Sequence, residues 1–133
     1  MELNDKGFLL TKNKYNENSV LAEIFTENYG KITGLIFGAT SKKLKNYLEI
    51  GNNLHVNYNY KNETKIGYFK LEILKPYTPI YFDNKKKLLC IICALNLVKI
   101  LSPERQSNSK IYNLLEKFYL IIDKKNWIQE YIF

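Results

Sequence analysis

Gly30, Gly34 and Gly38 recur at every fourth position and lead directly into Ser41-Lys42-Lys43-Leu44-Lys45. Even spacing puts all three on one side of an extended strand. A side chain missing there lets another backbone cross closely, or lets a barrel strand bend sharply. The strand then runs into a cluster of lysines. A small bent barrel with a cationic loop at one mouth is a common way to hold a nucleic-acid strand. A glycine-rich hairpin followed by a solvated loop is the plainer reading, and this stretch alone does not choose between them.

The first half of the chain reads as strands. Gly7–Thr11 and Val20–Phe25 are short apolar runs separated by the polar turn Asn13-Lys14-Tyr15-Asn16-Glu17-Asn18. Glu27-Asn28-Tyr29-Gly30 is a tight turn, with Gly30 suited to positive φ, and Ile32–Phe37 is the third strand. Leu54, Val56, Tyr58 and Tyr60 alternate with His55, Asn57 and Asn59, the clearest half-buried strand in the chain. Ile66–Leu74 is the fifth strand, and Ser41–Leu48 forms a short helix between the third and fourth. Five strands with a helix in that position is the plan of an OB-fold barrel; an SH3-like barrel or an open sheet gives similar periodicity.

The second half reads as helices. Pro76 and Pro79 end the fifth strand and make a stiff linker. Asp83 caps a helix reaching about Leu101, apolar on most sides and so expected to be buried on more than one. Ser107 or Asn108 caps the next, where Ile111, Leu114, Leu115, Phe118, Ile121 and Ile122 follow the spacing of one buried face. Asn126 opens a third, with Trp127, Ile128, Tyr131, Ile132 and Phe133. The expected division is a barrel over 1–78 and a small α-helical domain over 79–133. The apolar end implies that the helical part is truncated.

The net charge of +7 over 133 residues favours a polyanionic partner: nucleic acid first, an anionic membrane surface second. All but one of the 20 basic residues are lysine, the exception being Arg105, and they are spread along the chain. The acidic start Met1-Glu2-Leu3-Asn4-Asp5 is unlike a secretory leader. The longest apolar stretch, Leu88–Leu101, is shorter than the ~20 residues a spanning helix needs. A cytoplasmic, nucleoid-associated location with no membrane partner is the expectation.

The spacing of Cys90 and Cys93 resembles half of a zinc or redox motif, but His55 is the single histidine and four ligands are needed. Both cysteines are read as core hydrophobes, and no metal or other cofactor is implied. No catalytic triad, phosphate-cradling glycine loop or HExxH pair is present, so the reading is not an enzyme.

The order of residues carries a further resemblance. An acidic-Lys-Gly-apolar first strand precedes Tyr15-Asn16-Glu17-Asn18-Ser19, then Thr26, Gly30, Gly34, Gly38, Ser41-Lys42-Lys43, Leu48 and Gly51. Leu101-Ser102-Pro103-Glu104-Arg105 follows, ahead of Ile111-Tyr112. This set resembles the bacterial RecO family of DNA repair and recombination mediators. The resemblance implies an N-terminal OB-fold joined to a helical domain. It implies binding to single- and double-stranded DNA, annealing of complementary strands, and loading of RecA with RecR onto DNA coated by single-strand-binding protein. Some members hold that protein's C-terminal tail through the helical domain. There are departures: Asn16 stands where glycine is usual, Glu49-Ile50 where Gln-Pro is frequent, and lysine where arginine is usual. The four-cysteine zinc site of some members has no counterpart, and family members are longer.

Lysine neutralises phosphate as a point charge without reading bases. The candidate DNA contacts are Lys42, Lys43 and Lys45 in one loop, Lys12 and Lys14 at the same mouth if the barrel closes, and Lys31 at the start of the third strand. Tyr15, Tyr29, Tyr47 and Tyr68 are candidate stacking rings; rim packing is the plainer role for each. Two other readings stay open: a protein-interaction scaffold with a structural barrel, and an OB-fold RNA binder.

Overall fold

The structure, a computed structural model, describes residues 1–39, 41–62 and 64–124, except for the side chains of Lys43 and Asn46. Five strands close into a barrel: β1 (Glu2–Asn16), β2 (Ser19–Thr26), β3 (Gly30–Phe37), β4 (Asn53–Asn59) and β5 (Gly67–Lys75). Helix α1 (Lys42–Tyr47) joins β3 to β4, and α2 (Tyr77–Ile80), α3 (Lys85–Leu101) and α4 (Ser109–Ile122) follow the barrel. The order around the barrel is β1-β2-β3-β5-β4. With a helix between the third and fourth strands, this is the OB-fold expected from the sequence.

Closure depends on the length of β1. It runs 15 residues, well beyond the Gly7–Thr11 expected. Its first part, from Glu2 to Phe8, pairs with β4, and its second, from Gly7 to Asn16, pairs with β2. Irregularities between Leu9 and Thr11 and between Lys14 and Asn16 add the twist that lets one strand serve both neighbours. The polar stretch expected as a turn is therefore mostly strand, with the turn itself at Glu17 and Asn18. Exposed polar residues on both faces of this projecting ribbon erase the alternation that would mark it.

The three spaced glycines do three different jobs. Gly34 faces inward, where a β-carbon would come within 2.7 Å of the Tyr58 ring and 2.8 Å of the Phe69 ring. Gly30, at φ +73°, turns the β2–β3 hairpin, and its bare α-carbon admits the carbonyl of Gln106, which would lie 2.1 Å from an added β-carbon. Gly38 turns the chain out of β3 toward α1.

Two cores result. Leu9, Ile24, Ile32, Ile36, Leu54, Val56, Tyr58 and Phe69 fill the barrel. Phe8, Leu10 and Phe25 point the other way and pack under α3 and α4 with Ile91, Leu95, Tyr112, Leu115 and Tyr119. The unbroken run Phe8-Leu9-Leu10 is thus a strand buried on both faces. The seam between β3 and β5 is parallel and thin, formed by Gly34–Gly67 and Leu35–Tyr68.

The helix starts follow side-chain chemistry. Ser41 caps α1 at the Leu44 amide (3.2 Å), and Asn108 caps α4 at Ile111 (3.1 Å). Asn84 rather than the expected Asp83 caps α3, accepting from Lys87 N. The expected stiff linker holds α2, one turn fixed by Thr78, whose amide donates to Asn52 Oδ1 (3.2 Å) and whose hydroxyl donates to the Ile50 carbonyl.

Helix α3 corrects two expectations. It buries one side, through Ile91, Leu95 and Val98, while Leu97 (59% exposed) and Ile100 (78%) face outward. Its apolar residues circle the helix, and the barrel meets only one side of it. Cys93 is exposed and Cys90 half-buried, so Cys93 is not a core residue. Among the described residues no helix is long and apolar enough to cross a membrane. The helix expected from Asn126 lies outside the described residues.

Candidate nucleic-acid interface

Lys12 and Lys14 project from the exposed half of β1, and Lys45 from α1. All three line one groove of about 410 Å³ with Glu49, over a floor that includes Val20 and Leu48. Lys12 Nζ donates to the Leu48 carbonyl, which ties the end of α1 to β1. Lys14 and Lys45 form no ion pair among the described residues. Glu49 removes one unit of charge from the groove, so its balance is positive but not extreme.

Helix α1 has a second cleft beside it. Leu44, Phe37 of β3, and Tyr68 and Lys70 of β5 line a space of about 240 Å³ along the β3–β5 seam. The Phe37 and Tyr68 rings lie 5.7 Å apart at 49°, both outward and exposed. Neighbouring residues of α1 thus touch an aromatic surface through Leu44 and a cationic groove through Lys45.

The other candidates separate. Lys42 is exposed at the start of α1, and Lys43 lies on the same helix with its side chain outside the described residues. Tyr15 is exposed near the tip of β1. Lys31 does not join the cluster: its Nζ sits 3.4 Å from Glu23 and 3.3 Å from the Lys99 carbonyl, little exposed, and fastens β3 to β2 and α3. Tyr29 is at the β2–β3 turn, the opposite mouth from α1. Tyr47 packs half-buried against the barrel core instead of offering a free ring.

Phe37 and Lys70 escaped the sequence reading. Phe37 was legible by alternation: Ile36 points in, so its neighbour points out, and a phenylalanine on the outer face calls for a reason. Among the described residues no three His, Cys, Asp or Glu side chains gather as a metal would require.

Comparison with known proteins agrees with this architecture. The family profile described as Recombination protein O N terminal matches residues 1–77, the barrel and the first residue of α2. The chain belongs to the RecO family. It is 31% identical over 132 residues to the DNA repair protein RecO of Rickettsia canadensis, covering 99% of this chain and 54% of that protein. It is 29% identical over 134 residues to the DNA repair protein RecO of Ehrlichia chaffeensis, with 99% and 54% covered. The chain therefore spans about half the length of the curated relatives it matches.

One departure from the RecO pattern has a structural account. Asn16 replaces the usual glycine without a left-handed backbone. Its Oδ1 accepts from the Asn18 amide (3.0 Å) and the Ser19 hydroxyl (2.7 Å), so the side chain closes the β1–β2 turn.

Proposed function

We propose that this RecO-family barrel binds single- and double-stranded DNA without sequence preference, through phosphate contacts from Lys12, Lys14 and Lys45 and base stacking on Phe37 and Tyr68. One observation carries the reading: lysines from two elements far apart in sequence converge on a single groove. Annealing follows from the same physics. A basic surface that screens two phosphate chains and leaves the base edges free lets pairing proceed, and no catalytic group is needed.

In the cell the role is that of a cytoplasmic, nucleoid-associated recombination mediator acting with RecR and single-strand-binding protein in RecA loading. The family membership supports this assignment.

The test is an electrophoretic shift with labelled single-stranded and duplex oligonucleotides at low salt. The chain should retard both, and replacing Lys12, Lys14 and Lys45 together by Ala should abolish the shift. A second reading, a protein-interaction scaffold, is favoured by the outward Leu97 and Ile100 of α3. It takes over if the unaltered chain shows no shift at the lowest salt.

A further inference from the structure

The segment between α3 and α4 crosses the mouth of the barrel opposite the lysine groove. Arg105 N donates to the Lys31 carbonyl (2.8 Å), and the Glu104 carboxylate accepts from the Thr33 amide (2.8 Å) and hydroxyl (3.1 Å). Gly30 gives Gln106 room to pass. Arg105 itself is left-handed, at φ +61°, a conformation that costs a non-glycine residue about 1–2 kcal/mol.

That conformation lays the guanidinium over two rings, 5.2 Å from the centroid of Tyr58 and 5.0 Å from that of Tyr60. No carboxylate lies within ion-pair distance of it among the described residues. Arg105 lines a cleft of about 410 Å³ with Tyr29, Tyr60, Leu3 and Glu2. Tyr29 is held by its turn: the Asn28 amide donates to Asp5 (2.7 Å), and the Tyr29 amide donates to the Thr26 hydroxyl (3.2 Å).

The clefts connect. Tyr60 is also a wall of an adjoining space of about 430 Å³, lined by Lys61, Lys65 and Tyr68. Tyr68 in turn belongs to the Phe37 cleft, and α1 joins that cleft to the lysine groove. Aromatic faces and cations therefore alternate from one mouth of the barrel to the other: Arg105 and Tyr60, Lys61 and Lys65, Tyr68 and Phe37, then Lys45. Among the described residues that line the Arg105 cleft, Glu2 is the acidic one.

We propose that one DNA single strand follows this path, with the α3–α4 segment supplying its far end through Arg105. The inference rests on the reading of the barrel as a DNA binder. It extends the contact from the lysine groove and the Phe37–Tyr68 cleft to the opposite mouth of the barrel. Stacking tolerates any base, and the alternation of rings with point charges fits a strand and not a duplex.

The test measures the affinity of the 133-residue chain for oligo-dT of about 16 nucleotides, the upper site size of a single OB barrel. Two variants are compared with the parent. Arg105→Ala removes the guanidinium. Lys61→Ala with Lys65→Ala alters only exposed loop residues and leaves the packing intact. Each should weaken binding about five-fold or more. The loop variant should also flatten the log affinity against log salt slope by about 1.4. If either variant binds like the parent, the path is overturned. If the Lys12, Lys14 and Lys45 replacement still abolishes binding in that case, the groove reading survives alone. If that replacement has no effect, the groove reading fails instead.

Discussion

The phenolic hydroxyl of Tyr119, on the last described helix, donates at 2.9 Å to the carbonyl of Gly51 in the chain entering β4, 68 residues away. Both groups are buried, and Tyr119 also stacks on Phe8 of β1 at 5.3 Å and on Tyr77 at 4.2 Å. Tyr119→Phe keeps the stacks and orphans the carbonyl. It should lower stability by about 1–3 kcal/mol, read as a lower urea midpoint with unchanged slope. An unshifted midpoint would show that the bond contributes nothing.

Gly34→Ala tests the tight centre of the barrel. The added methyl meets the Tyr58 and Phe69 rings inside the core, where neither can swing away. The expected loss is about 1–3 kcal/mol, seen as a lower melting temperature by circular dichroism. Melting at the parent temperature would mean the interior is looser than the packing implies.

The salt dependence of single-strand binding should report the lysine groove. Each phosphate neutralised contributes about −0.7 to the slope of log affinity against log salt. Replacing Lys14 or Lys45 singly by Ala should make the slope shallower by about 0.7, read by fluorescence anisotropy. A parallel line at lower affinity would instead point to lost shape.

Phe37→Ala removes an exposed ring and should leave stability within about 0.5 kcal/mol. Its effect belongs in binding: a loss of about 1–3 kcal/mol for single strands. Equal affinity of variant and parent for oligo-dT would exclude Phe37 as a stacking platform.

Alkaline pH should unfold the protein through its buried phenols. Burial, followed by the hydrogen bond to Asp123 and its charge, pushes Tyr81 up from 10.0 to about 12. Burial drives Tyr112 and Tyr119 higher still. In the unfolded chain tyrosine releases its proton near pH ~10, so above that the folded state holds more protons than the unfolded one. Stability from these groups is intact below about pH 10. It falls as pH rises, by about 1.4 kcal/mol per pH unit for each of Tyr112 and Tyr119. Melting temperatures that stay level from about pH 9.5 to 11.5 would contradict this.

The barrel was legible because its signals are local. Alternation in Leu54–Tyr60 marks β4, and the glycine at the Tyr29–Gly30 turn shows in composition alone. The far half of β1 was not legible, since a ribbon wet on both faces has no apolar period to read. Lys12 and Lys14 were expected beside Lys42, Lys43 and Lys45 on the condition of closure; in the closed barrel Lys12, Lys14 and Lys45 line one groove, and Lys42 is not among its lining residues. Lys31 was misplaced because its neighbours Glu23 and Lys99 belong to other elements, and pairing of that kind is set by register. Arg105 was visible as the lone arginine, but nothing in its sequence surroundings announces two tyrosine rings from β4 and the residue after it.

The β3–β5 seam holds by two residue pairs, and beside it Glu104 grips Thr33 from outside. The stretch that guards this weak joint is made only after every stave is already in place. A shortened chain stopping where the family profile stops would leave the edge from Gly30 to Thr33 bare, an open invitation to a neighbouring molecule's backbone. For this protein the crossing between the outer helices is a clasp, and cutting it away trades a closed rim for a sticky one.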